Sequence, residues 1–125
     1  MVIDYRFNSL EEDFEAIKSL QEKNLRAALS AKVIEKEGFV TAVYSIGELK
    51  SMSGALKHSM AFDHSILAGY VLCMIPEQLS KYPFLLKVLK DGEKNNLSEV
   101  DFRIKDSLII GQVCVAAGYR RRGIL

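Results

Sequence analysis

Six consecutive residues, Arg120-Arg121-Arg122-Gly123-Ile124-Leu125, carry the strongest chemical signal in this chain. Three guanidinium groups stand beside a glycine, soon after the apolar run 108–115. A strand feeding a basic, glycine-containing loop is a common way to hold a phosphate. Backbone N–H groups point outward from such a loop, and a helix opening after it favours an anion through its dipole. Gly123 suits a point where backbone and phosphate approach closely. The plainer readings of the arginines are a solvated basic turn or nonspecific contact with RNA phosphates. No aromatic platform or wider basic stripe accompanies them, so nucleic acid is not expected as a partner.

Other reactive side chains read more blandly. Cys73 and Cys114 both lie inside apolar runs, where packed, reduced thiols are the expectation. Cys114 has no histidine at a suggestive spacing, so a nucleophilic role has little support. Gln112 carries an amide, which cannot act as a base. Glu99 and Asp101 read as solvated loop residues, His64 as an exposed turn residue, and His58 has no assigned role. Phe39, Tyr44 and Tyr70 could line an acceptor pocket but fit a core equally well. No catalytic residue is assigned, and no cluster with metal-ligand spacing stands out.

The rest of the chain must position that loop. With 125 residues, a single domain is expected. Hydrophobic residues make up 49%, enough for a core, and charged residues 26% with a formal net charge of +1. That balance gives no global attraction to nucleic acid or an anionic membrane, so any phosphate recognition must be local. The N-terminus lacks the pattern of a signal peptide, and no apolar run approaches the ~18 residues of a spanning helix. A cytoplasmic protein is the expectation.

Residues 2–7 alternate as a first strand, with Ile3, Tyr5 and Phe7 on one face. Ser9 and Glu12 match a capping box that opens a helix whose core stripe is Leu10, Phe14, Ile17 and Leu20. Residues 24–37 continue with helix formers up to Gly38, and 39–44 are short and β-branched. Ser45 and Glu48 form a second capping box, for a helix through Ile46, Leu49 and Met52 that ends near Gly54. A β-hairpin follows, with arms 59–62 and 66–75 and a turn at 63–65. Gly69 inside the second arm predicts a bulge or a close backbone approach. Pro76 stops that strand and opens a helical stretch, in which Phe84, Leu85, Val88 and Leu89 form an apolar face. After a polar loop at 91–96, residues 108–115 read as a buried strand. This order argues for an α+β fold with helices on a mostly antiparallel sheet.

That order resembles the GNAT acetyltransferase superfamily, whose domains begin with a strand and two helices, then a hairpin, a helix and a fourth strand. The fourth strand leads into a pyrophosphate loop of the pattern Gln/Arg-x-x-Gly-x-Gly/Ala. Arg120 and Gly123 stand at its first Arg and first Gly, and Leu125 at its last small residue. Residues 115–119 resemble the family's Val-x-Pro-x-Tyr run, with Ala117 in the proline place. Residues 66–71 resemble its hairpin return strand, and 38–41 a segment on its acceptor side. The resemblance implies a single incomplete GNAT domain over 1–125, ending at the pyrophosphate-binding loop, with the C-terminal part of the fold missing. It implies transfer of an acetyl group from acetyl-CoA, without metal, to a primary amine of a small molecule or peptide. It also implies that Val113, Cys114 and Val115 pair with the pantetheine arm, while Arg120, Arg121, Arg122, Gly123, Ile124 and Leu125 cradle the pyrophosphate. The alternative is a truncated, non-catalytic domain that associates as a homodimer through the exposed edge of its last strand.

Overall fold

Apolar and small residues over 59–63 and 66–74 make two strands that close on a two-residue turn, and the other elements pack around that hairpin. The computed structural model describes residues 2–25, 43–83, 87 and 108–124. Their order is β1 (Asp4–Phe7), α1 (Glu11–Lys23), α2 (Ile46–Ser53), β2 (Ser59–Asp63), β3 (Ile66–Met74), a 3₁₀ helix (Pro76–Lys81), β4 (Ile109–Val115) and a 3₁₀ turn (Ala117–Tyr119). The strands form one sheet in the order β1-β2-β3-β4, and each neighbouring pair is antiparallel. The class is therefore α+β. The expectations for 26–42, for the apolar face of Phe84, Leu85, Val88 and Leu89, and for 91–107 lie outside the described residues.

One face of the sheet carries the core. Phe14, Ile17 and Leu20 of α1 and Leu49 and Met52 of α2 pack on Met60, Tyr70, Leu72, Met74, Ile109 and Cys114. Ile17, Leu49, Met52 and Leu72 are fully buried, and each contributes about 1.5–3 kcal/mol through the apolar surface it removes from water. Buried polar side chains stitch the layers together. The Gln21 amide donates to the Tyr44 carbonyl at 3.0 Å and accepts from the Tyr44 N–H at 3.1 Å, joining α1 to the chain entering α2. Gln78 accepts from the Ile75 N–H and donates to the Ser51 carbonyl, satisfying the end of α2. Among the described residues, no buried side-chain nitrogen or oxygen lacks a partner, as a stable interior requires.

The entry to α1 differs from the expected capping box. The helix begins at Glu11, Leu10 is its cap residue, and Asp13 rather than Glu12 turns back on the chain. Its carboxylate accepts from the Ser9 N–H at 2.8 Å and the Leu10 N–H at 2.9 Å, and Arg6 of β1 donates two hydrogen bonds to it. The Arg6 contact fixes which acid does the capping, and the two backbone donors are already turned toward it. Leu10 accordingly stays outside the helix and exposed. The box at α2 is as expected: the Glu48 N–H donates to Ser45 Oγ, and the Ser45 N–H donates to the Glu48 carboxylate, both at 3.1 Å.

β1 is also oriented by Arg6. Its guanidinium lies on the helix side, 4.4 Å from the centroid of Phe62 and within reach of Asp13. Side chains alternate along a strand, so Tyr5 and Phe7 share the opposite face and are 58% and 63% exposed. They share a face as expected, but it is not the core face.

Two register shifts shape the sheet. Ala61 pairs with Gly69 and Phe62 with Leu67, so Ala68 is the extra residue of a bulge in β3. A Cβ on Gly69 would stand 3.0 Å from the Cys114 carbonyl oxygen. The expected bulge and close approach thus occur together. The second shift pairs Leu72 with Gln112 and Cys73 with Ile110, which bulges β4 at Gly111. His58 sits beside this irregularity and is fully buried. Its Nε2 donates to the Leu49 carbonyl at 2.9 Å, and its Nδ1 accepts from the Cys73 N–H at 3.1 Å. One neutral imidazole therefore joins α2 to β3.

Candidate functional site

β4 is the outer strand of the sheet among the described residues, with β3 on one side only. In an antiparallel strand, residues two apart turn their backbone groups to the same side. The Ala116 N–H donates back to the Ala68 carbonyl at 2.7 Å, toward β3. The Val115 carbonyl instead accepts from Arg120 Nε at 3.0 Å. Val113, two residues earlier, presents its backbone on the same outward side as Val115, and its side chain is exposed. Cys114 lies between them and is buried. Burial pushes its thiol pKa up, against weaker opposing effects from Tyr70 and Arg120, so the thiol stays protonated at neutral pH. The Tyr70 hydroxyl, itself buried, donates to Gln112 Oε1 at 2.6 Å, and burial holds its pKa far above the usual phenol value. Cys114 and Tyr70 are thus part of a packed interior, and the half-buried Gln112 is bonded to its margin.

After β4 the chain does not leave the sheet. Following the 3₁₀ turn, it folds over the face opposite the helices. There Ile124 is buried against Ala61 and Ala68, with Ile3 and Tyr119 beside it. The small side chains of β2 and β3 make a floor low enough for a backbone segment to lie on. Two hydroxyls hold the segment down. Tyr119 Oη donates to Asp63 Oδ2 at 2.7 Å, at the hairpin tip. Tyr5 Oη donates to the Ile124 carbonyl at 2.8 Å, on the far outer strand. The first contact lowers the Asp63 carboxyl pKa, with a smaller contribution from His64, and raises the Tyr119 hydroxyl.

Between these anchors the backbone curls. Arg121 has φ 61° and Gly123 φ 72°, both left-handed. Such turns can gather N–H groups into a concavity that takes an anion. Gly123 meets this conformation at little cost, whereas a side chain there would be strained. An ideal Cβ on it finds nothing within 4 Å among the described residues, so there is room beside the backbone. Arg121, Arg122 and Gly123 are exposed. The Arg122 guanidinium lies 5.9 Å from the Tyr119 ring centroid.

The three arginines therefore differ. Arg120 turns inward, and besides the Val115 carbonyl it donates to Asn24 Oδ1 at the end of α1. Asn24 is buried and donates in turn to the Leu20 carbonyl at 2.8 Å. Arg120 thus ties the end of β4 to α1. Leu125, Glu99, Asp101 and Phe39 lie outside the described residues. Tyr44 and Tyr70 are core, and His64 is exposed in its turn, as expected. Tyr5, Asn24, Asp63 and Tyr119 hold the loop and its arginine in place. Of these, only Tyr119 falls in a run the sequence ties to the loop, 115–119; the others are single residues on distant elements. A cavity of about 460 Å³, lined by Asp4, Arg6, Glu12 and Phe62 among others, lies at the β1 edge, away from β4.

No family model, curated protein or solved structure matches this chain. No helix among the described residues is long and apolar enough to cross a membrane, and no described group of His, Cys, Asp and Glu could hold a metal ion.

Proposed function

We propose that this chain carries the cofactor-binding part of a GNAT-type N-acetyltransferase, which moves an acetyl group from acetyl-CoA to a primary amine of a small molecule or peptide. One observation carries the reading: an outer antiparallel strand, with backbone facing outward at Val113, runs directly into a loop with left-handed residues at Arg121 and Gly123. The element order and the antiparallel β1-β2-β3-β4 sheet also support it.

The residues fit such a ligand. Val113 would pair with the amide groups of the pantetheine arm, as an added strand does. Amides of the loop 121–124, with Arg121 and Arg122, would meet the pyrophosphate. Arg120 would act from behind, holding the end of β4 against α1 and occupying the Val115 carbonyl. Acetyl-CoA supplies an activated thioester, and the protonated, buried Cys114 favours direct transfer to the amine over a covalent enzyme intermediate.

Calorimetry with CoA tests this reading. The full chain should give saturable heat, and Gly123→Asp should abolish it, because the substitution puts a carboxylate and a strained backbone beside the phosphates. No heat at millimolar CoA with the unaltered chain sinks the proposal.

A second reading rests on a different observation. Leu108, just before β4, and Ile110 and Val113 within it are exposed, and β4 is, among the described residues, an outer strand of the kind that invites pairing with another chain. Under this reading two copies join edge to edge. Light scattering should then report twice the monomer mass, and a clean monomer at high concentration rules it out.

A further inference from the structure

The loop 117–124 crosses the sheet from β4 to β1, and its last contact is the least expected. Tyr5 belongs to the far outer strand, yet its hydroxyl donates to the Ile124 carbonyl at 2.8 Å. The Tyr119 contact with Asp63 fixes the other end, at 2.7 Å. Arg121 and Gly123, the two left-handed residues, lie between these anchors. Pinning a short segment at both ends restricts its backbone. A segment held in one shape gives up less freedom when it binds an anion.

We propose that Tyr5 is a positioning residue for phosphate binding, holding the loop in the curled form that receives the pyrophosphate of CoA. This rests on the cofactor reading given above. Tyr5 itself need not touch the ligand. Its ring is mostly exposed and contributes little to the core, so Tyr5→Phe removes the anchor while leaving the packing of the sheet intact.

The test compares Tyr5→Phe with the unaltered full chain by CoA calorimetry and by amide hydrogen exchange. Loss of one neutral hydrogen bond from the bound geometry corresponds to about a fivefold weaker affinity. Exchange at the amides of 121–124 should quicken far more than at the β2 and β3 amides. A merely structural tyrosine would not give that local pattern. Equal CoA affinity in the two proteins overturns the proposal. So does weaker binding accompanied by faster exchange throughout the sheet, which marks general destabilisation. If the unaltered chain binds no CoA, the cofactor reading itself has failed and the role of Tyr5 falls with it. That outcome differs from the first, in which the chain binds CoA and Tyr5 is irrelevant.

Discussion

Asp13→Ala should lower the unfolding free energy by about 3 kcal/mol in urea titrations near pH 7. Asp13 is 2% exposed and gathers four donors: two N–H groups of Arg6 and the backbone N–H groups of Ser9 and Leu10. Removing the carboxylate strands all of them. The Arg6 side chain is 38% exposed and can rehydrate, which keeps the loss at the low end for a broken buried pair. The Arg6 hydrogen bond holds the Asp13 carboxyl pKa well below the usual carboxylate range, with the two backbone donors adding to it against the effect of burial. A carboxyl depressed on folding contributes its full stability above its unfolded pKa, about 4, and loses it as the pH falls further. The acid limb of the stability curve should therefore be steep in the natural sequence and shallower in Asp13→Ala. A loss under 1 kcal/mol would show that β1 and α1 are not joined through this pair.

The second large effect belongs to His58. Replacing it with phenylalanine keeps an aromatic ring of somewhat larger size but removes the donor to the Leu49 carbonyl and the acceptor for the Cys73 N–H in a fully buried place. The two lost hydrogen bonds, with the Cys73 N–H stranded at about 1–3 kcal/mol, predict a loss of about 3 kcal/mol. Burial lowers the His58 pKa below its ordinary 6.5, with the Leu49 hydrogen bond working the other way. The unfolded chain therefore takes up the proton first, and stability should decline as the pH drops below about 6.5. Protonation also turns Nδ1 into a donor facing the Cys73 donor, so the join between α2 and β3 is what weakens. His64→Asn, at an exposed turn position, is the control and should change stability by less than about 0.5 kcal/mol. If the decline below pH 6.5 persists in His58→Phe, another group is responsible.

What could be read from the chain follows the range of the interactions. The hairpin, the α2 capping box and β4 depend on residues a few positions apart, and alternation or spacing reveals them. Gly69 announced its bulge because a missing Cβ is visible as a residue type. The Ser9 and Glu12 box misled because Ser9 and Glu12 fit the local pattern, while Arg6 on the neighbouring strand decided in favour of Asp13. Arg120 looks like its two neighbours, and its hydrogen bonds to the Val115 carbonyl and to the Asn24 side chain, 96 positions away, set it apart. The alternation of β1 places Ile3, Tyr5 and Phe7 on one face, but a lone strand does not tell which of its faces the helices will cover. His58 gave no signal, since its partners are two backbone groups on separate elements.

The strap held by Tyr5 also has a kinetic meaning. The Tyr5–Ile124 contact joins positions 119 apart, nearly the whole chain, so closing it demands that almost everything between be in place. The hairpin and helices can form from nearby contacts. The loop can settle only on the floor that Ala61 and Ala68 provide once β2 and β3 are paired. Late assembly of the candidate site and its early release from the native state are the expected outcome, which faster amide exchange at 121–124 than in β2 and β3 would show. A chain with its core intact and the loop 117–124 detached would be folded by most spectroscopic measures and still lack the candidate site.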